Sequence, residues 1–448
     1  MLSTLPTELI QEVLEQIGDL KSLSAATRTC RVIHDAFAGA KDIILINTLR
    51  RLIHPSMLPE ALTRMEIAYQ FGPHFVEAQV LDDFTTNFYT TKFAPPKVWT
   101  TVDARYLCRF HNMIEHVSAW LLGTYMERAG DLLGKGQPTA TEVRRVQKAL
   151  YRYDIWCHVF ADQDGHASNS NTEFFSHYEM WEIEQIVCVH DALFEMAELP
   201  YNEMVEHDVG WGASKVPYLR RESRESNYIL GRGVEFLYHI FVTNNHWRLR
   251  RWLGIRRLGM DQPRATRHGG GFSFIISRCL WIWDSSSINS SYYHEWEEKR
   301  RTNSKKRLAI GSDVEDMDTG PAAAWKHVNP TMRTLEGTIG YHPSLGYSPH
   351  IQWGYVFWDM NRLERGEFFR REDEDEDTLH DVRHRIEPPS DEALGRSQEL
   401  RRWIDVQGGL GWWSEEDQSK VIYRESRMRD RVIQLATQLH TSRRQQPQ

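Results

Sequence analysis

Residues 5–37, LPTELIQEVLEQIGDLKSLSAATRTCRVIHDAF, contain more apolar side chains than three short helices can bury among themselves. Pro6 suits the first turn of a helix, because the N–H that proline lacks would have no intrahelical partner there. A segment of this length gains too little from burial to offset the conformational entropy that it loses on folding. We therefore expect it to dock on a partner protein or on the rest of its own chain. The apolar positions of its first helix form a stripe at Leu9, Ile10, Val13, Leu14 and Ile17.

Two further short helices are predicted directly after this stripe. Gly18 suits the end of the first helix, and Asp19 can cap the second. The pattern predicts helix, turn, helix, turn and helix. The apolar residues of the second and third helices are Leu20, Leu23, Ala26, Cys30, Val32, Ile33 and Phe37.

This joint pattern resembles the F-box motif, in the form common among fungal F-box proteins. The matching residues are Leu5-Pro6, Glu8, Leu9-Ile10, Val13-Leu14, Ile17, Leu20, Leu23, Ala25-Ala26, Thr29-Cys30-Arg31 and Phe37. The resemblance implies that the segment binds a Skp-type adaptor and, through it, cullin. It also implies that the chain is a substrate receptor of an SCF ubiquitin ligase, with an unknown protein as its substrate. The implied adaptor contacts are Leu5, Pro6, Leu9, Ile10, Val13, Leu14 and Ile17.

Composition and charge narrow the class of protein further. The chain has 448 residues, a length that predicts a small module plus one large or two medium domains. Hydrophobic residues make up 41% and charged residues 26%, as is typical of a globular protein. A net charge of −8 argues against nucleic-acid binding, which needs a basic face. The sixteen tryptophans are interpreted mainly as core anchors, with exposed partner-binding aromatics as the alternative.

The cysteine pattern and the apolar stretches indicate where the protein resides. Five scattered cysteines predict neither a disulfide framework nor a zinc site, and so indicate a reducing compartment. The acidic start of the chain does not resemble a secretory signal, and the longest apolar stretch, 272–283, is too short to span a bilayer. We expect an intracellular protein, cytoplasmic or nuclear, that does not associate with membranes.

The predicted fold is mainly α, with an N-terminal three-helix module followed by an irregular helical body. Helical periodicity predicts long helices over 58–71, 102–129, 142–160, 173–197 and 228–253, and no segment supports a sheet. Ser414 and Asp417 are interpreted as a capping box before a helix over 421–439. The predicted boundaries are 1–45 for the module, 46–298 for the body, 299–322 for a disordered insertion, 323–370 for the rest of the body, 371–390 for an acidic, proline-containing linker, and 391–448 for a C-terminal helical segment and tail.

No catalytic motif is found, and the chain is not expected to be an enzyme or to hold a cofactor or metal. Residues 162–173 have part of the spacing of a calcium loop, but Ala167 stands where such a loop needs glycine. A basic cluster over 299–307 is a candidate nuclear-import signal, with a solvated charge run as the alternative. The densest basic and aromatic run supplies candidate partner-binding residues at Arg250, Arg251, Arg256 and Arg257, and tryptophan-rich surfaces at Trp353 and Trp358 are the alternative.

Two other functions remain open from the sequence. The chain could be an adaptor-bound scaffold that never supports ubiquitin transfer, and only an assay of ubiquitin transfer would separate this scaffold from a substrate receptor. An enzyme with an unfamiliar active site in the helical body is the remaining alternative.

Overall fold

The structure is a computed structural model that describes residues 5–70, 100–134, 136–160, 174–221, 223–254, 302, 316–329, 349–370 and 389–423. The described residues are mainly helical, as predicted. They form two compact units. Unit 1 comprises Met1–Glu195, Glu222–Tyr238 and Pro263–Arg383, and unit 2 comprises Met196–Arg221, His239–Gln262 and His384–Gln448.

Unit 1 begins with the predicted module and continues into three long helices that pack side by side. Short 3-10 helices at Pro55–Met57, Gly130–Leu133, Tyr355–Phe357 and Phe368–Arg370 join its longer elements. Its α-helices are α1 (Thr7–Glu15), α2 (Leu20–Thr27), α3 (Arg31–Gly39), α4 (Lys41–Leu52), α5 (Leu58–Gln70), α6 (Thr101–Ala129), α7 (Ala140–Phe160), the first part of α8 (Met180–His207), α10 (Arg224–Leu230), most of α11 (Gly233–Phe241), α13 (Gly320–Val328), α14 (Pro349–Gln352) and α15 (Met360–Arg365).

The core of unit 1 lies between α5, α6 and α7, where helix periodicity places aliphatic side chains on facing sides. Leu107, Ile114 and Leu121 of α6 and Leu150 of α7 are all buried. The module rests on this core, because α2 and α4 both pack against α6. Thr100 and Asp103 cap the start of α6 reciprocally, which fixes where this helix begins.

Residues 316–329 belong to the ordered part of unit 1, although the predicted insertion extended to residue 322. Arg145 of α7 donates hydrogen bonds to both carboxylate oxygens of Asp316, at 2.6 and 2.8 Å. α13 then begins at Gly320. The prediction of a disordered insertion is therefore wrong over residues 316–322, and residues 299–301 and 303–315 lie outside the described residues.

Unit 2 is built on α9 (Val209–Ala213), which packs against α16 (Asp391–Val406). The side chain of Arg401 is buried here, and its Nη1 donates to the carbonyl oxygens of Val205 and Asp208 at 2.5 and 3.2 Å. The other elements of unit 2 are the end of α8, the end of α11, α12 (His246–Leu253), β1 (Gly409–Gly411) and β2 (Val421–Tyr423).

The helix predicted from Val421 is wrong over its first residues, because Val421–Tyr423 forms a strand. It pairs antiparallel with β1, with Leu410 opposite Ile422. β-branched and aromatic side chains favour strands, and Val421 packs against the buried Trp413 cluster. Ser414 does accept a hydrogen bond from the Asp417 N–H, at 2.9 Å, but it closes a turn between the strands. Residues 424–439 of the predicted helix lie outside the described residues.

None of the described helices is long and apolar enough to cross a membrane.

Candidate protein-binding site

The first helix presents two apolar faces with different environments. Its inner face is in the core of the module, where Ile10 and Leu14 are 1% and 3% exposed. Its outer face carries Leu9 and Val13, which are 44% and 41% exposed, and Leu5, just before the helix, is 38% exposed. Leu9 and Val13 are four residues apart, so they lie on the same side of the helix.

Packing and polar contacts fix the inner face of α1 against α3 and α4. The Gln11 side-chain amide donates to the carbonyl oxygen of Ala36 at 2.9 Å. From α4, the Asn47 amide donates to the Glu15 carboxylate at 3.0 Å. Because these contacts hold α1 in one rotation about its axis, the outer face is directed away from the rest of the module.

The structure divides the seven residues implied as adaptor contacts into two sets. Leu5, Pro6, Leu9 and Val13 are exposed, and Ile17 is half-buried. The implied role does not hold for Ile10 and Leu14, because their side chains are buried inside the chain. Successive residues of a helix are rotated by about 100° around its axis. A stripe formed by residues 9, 10, 13 and 14 is therefore wide enough to contact the core on one side and a partner on the other.

The exposed stripe of α1 has the composition of a small protein-binding surface. Leu5, Leu9 and Val13 supply the apolar centre, and the exposed carboxylates of Glu8 and Glu12 flank it. Covering the exposed part of each aliphatic side chain would gain about 1 kcal/mol. A complementary partner would present an apolar groove with basic residues at its rim.

The candidate arginines of α12 do not form a free basic surface. The Nε of Arg250 lies 3.4 Å from the carboxylate of Asp208, which is fully buried and also contacts His246 Nε2 at 3.0 Å. Asn245 caps this helix by accepting from the Arg248 N–H. Arg250 therefore has an internal partner, and Arg251 is the one exposed candidate among the described residues. Arg256 and Arg257 lie outside the described residues.

The alternative surface at Trp353 and Trp358 is not a surface, because these side chains are 1% and 0% exposed. The Trp358 indole N–H donates to the carbonyl oxygen of Trp353 at 3.2 Å. Gly354 adopts a φ of +60°, and a side chain there would collide with Tyr125 and Phe357. These aromatic residues belong to the core of unit 1. Trp353 and Trp358 therefore agree with the interpretation of the tryptophans as core anchors.

No group of His, Cys, Asp and Glu within the described residues could hold a metal ion. The calcium-like loop at 162–173 lies outside those residues, as does all of the basic cluster over 299–307 except Thr302. The sequence did not indicate that Arg50, Arg51 and Arg144 line a common cavity. Arg144 is far from Arg50 and Arg51 in the sequence, so no motif spacing indicated that the three side chains lie close together.

Comparison of the chain with protein families, with curated proteins and with solved structures finds no match.

Proposed function

We propose that the chain is an F-box substrate receptor. In this proposal the outer face of α1, formed by Leu5, Pro6, Leu9 and Val13, binds a Skp-type adaptor, with Ile17 at its edge. The observation that carries the proposal is an apolar stripe left uncovered on a helix whose inner face is buried through Ile10 and Leu14. The F-box resemblance of residues 5–37 supplies the identity of the adaptor.

The proposed receptor performs no bond chemistry of its own. It holds a protein substrate close to a ubiquitin-conjugating enzyme and so raises the effective concentration of the acceptor lysines. Such a receptor needs a stiff connection between the adaptor-binding helix and the body. The packing of α4 against α1 on one side and α6 on the other would supply that stiffness.

Replacing both Leu9 and Val13 by aspartate is expected to weaken adaptor binding at least about 100-fold, since two carboxylates would be desolvated in an apolar interface. Both side chains are exposed, so the melting temperature of the isolated chain should change little. Calorimetric titration of the purified chain with a purified Skp-type adaptor measures the affinity, and circular dichroism measures the melting temperature.

The matched control is Leu400→Asp, because Leu400 is 46% exposed on α16 of unit 2, against 44% for Leu9. This variant should bind the adaptor as the natural chain does. Unchanged adaptor affinity in a folded Leu9→Asp, Val13→Asp variant would rule out the proposed face. An adaptor complex that assembles with cullin yet supports no ubiquitin transfer to any bound protein would favour the scaffold alternative.

A further inference from the structure

A cavity of about 470 Å³ lies in unit 1, away from the outer face of α1. It is bounded by the end of α4, the 3-10 helix that follows, the middle of α6 and the start of α7. The polar part of its lining is formed by Arg50, Arg51, His54, His111, Glu115, Arg144 and Gln147, and the apolar part by Leu52, Met57, Pro138, Ala140 and Val143.

Three arginines on this lining have no carboxylate partner among the described residues. Arg51 donates to the Gln16 amide oxygen at 2.9 Å, and Arg144 donates to the Thr141 hydroxyl at 3.0 Å, so both contacts are to neutral groups. Arg50 and Arg51 are exposed at the end of α4, and Arg144 is half-buried, so their guanidinium groups are accessible to a ligand.

The charges on the lining indicate what ligand would fit. Glu115 is the single carboxylate among the described lining residues, and its Oε1 lies 3.9 Å from His111 Nε2. Burial lowers the pKa of His111 to about 4, so this imidazole is neutral at pH 7. Its Nδ1 lies 3.1 Å from the Tyr151 hydroxyl. Counting the three arginines and Glu115, and leaving the histidines aside, the described lining carries two net positive charges, close in size to the charge of −1.5 to −2 on a phosphate monoester at pH 7.

We propose that this cavity binds a phosphate monoester. Arg50, Arg51 and Arg144 donate hydrogen bonds to the phosphate oxygens, because guanidinium groups match the geometry of these acceptors. Leu52, which is half-buried on the apolar part of the lining, contacts the carbon atoms that carry the phosphate. A carboxylate ligand would neutralise only one of the two charges and offer two oxygens instead of three.

The test uses the full chain and O-phosphoserine as the probe, with serine as the unphosphorylated reference. A triple variant, Arg50→Gln, Arg51→Gln and Arg144→Gln, should bind O-phosphoserine at least about tenfold more weakly in a calorimetric titration, since it removes charge-assisted hydrogen bonds. The control triple variant removes the same charge at exposed arginines of unit 1 away from the cavity: Arg28→Gln, Arg105→Gln and Arg365→Gln. This control should keep the affinity of the natural chain.

Glu115→Gln supplies a second measurement with the opposite sign. Removing the one opposing carboxylate should tighten O-phosphoserine binding about threefold or more, whereas a general loss of folding could only weaken it. The proposal is overturned if the natural chain binds O-phosphoserine no better than serine. It is equally overturned if both triple variants lose affinity alike, or if Glu115→Gln binds no tighter than the natural chain.

Two further probes distinguish the sources of the phosphate group once O-phosphoserine binds. A phosphoserine peptide that binds more tightly than O-phosphoserine identifies a phosphorylated protein side chain as the ligand. Inorganic phosphate or O-phosphoserine binding as tightly as the peptide identifies a free phosphorylated small molecule. Either result supports a phosphate monoester site in this cavity.

Discussion

Asp154→Ala is expected to destabilise the chain by about 3–5 kcal/mol, because it leaves the buried guanidinium of Arg64 without its counter-charge. Asp154 is 0% exposed and Arg64 3% exposed, and the Arg64 Nε donates directly to the carboxylate. The other carboxylate oxygen accepts from the Val234 N–H at 2.6 Å. Interaction with Asp154 raises the pKa of Arg64 against the opposing effect of burial, so the guanidinium stays charged in the folded protein.

Urea-induced unfolding followed by tryptophan fluorescence measures this loss. Asp391→Ala is the matched control, because Asp391 is exposed at the start of α16 and its loss should cost about 1 kcal/mol or less. Replacing both partners, Arg64→Met with Asp154→Leu, should restore much of the stability, since no uncompensated charge remains. A loss below about 1 kcal/mol for Asp154→Ala would contradict the importance of this ion pair.

Glu184→Gln should instead stabilise the protein above neutral pH. The Glu184 carboxyl is 5% exposed, and burial raises its pKa to about 7. The Tyr355 hydroxyl donates to it at 3.2 Å, which partly offsets the effect of burial. Keeping this carboxylate ionised at pH 8 costs about 3 kcal/mol, and glutamine removes the charge while keeping an acceptor for Tyr355.

The direction of this effect follows from how the free energy of unfolding depends on pH. Because the folded carboxyl binds its proton more tightly than the unfolded one, the free energy of unfolding falls as the pH rises from about 4.5 to 7. The gain from Glu184→Gln, at most about 3 kcal/mol at pH 8, should therefore disappear near pH 4.5. Glu364→Gln, at an exposed glutamate, should have little effect at either pH. Equal gains at pH 4.5 and pH 8 would contradict the burial of an ionisable carboxyl.

Helix positions in the centre of unit 1 were predictable because they depend on local periodicity. The helix predicted over 102–129 is α6, Thr101–Ala129, and the one predicted over 142–160 is α7, Ala140–Phe160. Prediction was poorer where distant residues decide the backbone. The helix predicted over 228–253 is broken twice, between Leu230 and Gly233 and between Phe241 and His246. Gly233 has a φ of +78° and lies against the Asp154 carboxylate. No pattern near residue 233 contains that information.

The candidate binding face was likewise predictable only in the features that depend on nearby residues in the sequence. The apolar stripe of α1, which is wider than one contact needs, was predictable because its aliphatic residues recur with the period of a helix. Which of these residues face the core depends on tertiary packing: Ile10 and Leu14 are buried, and Leu9 and Val13 remain exposed. The rotation of α1 depends on contacts with Ala36 and Asn47, which are distant in the sequence. The arginine-lined cavity likewise depends on tertiary packing, because it joins the end of α4 to the start of α7.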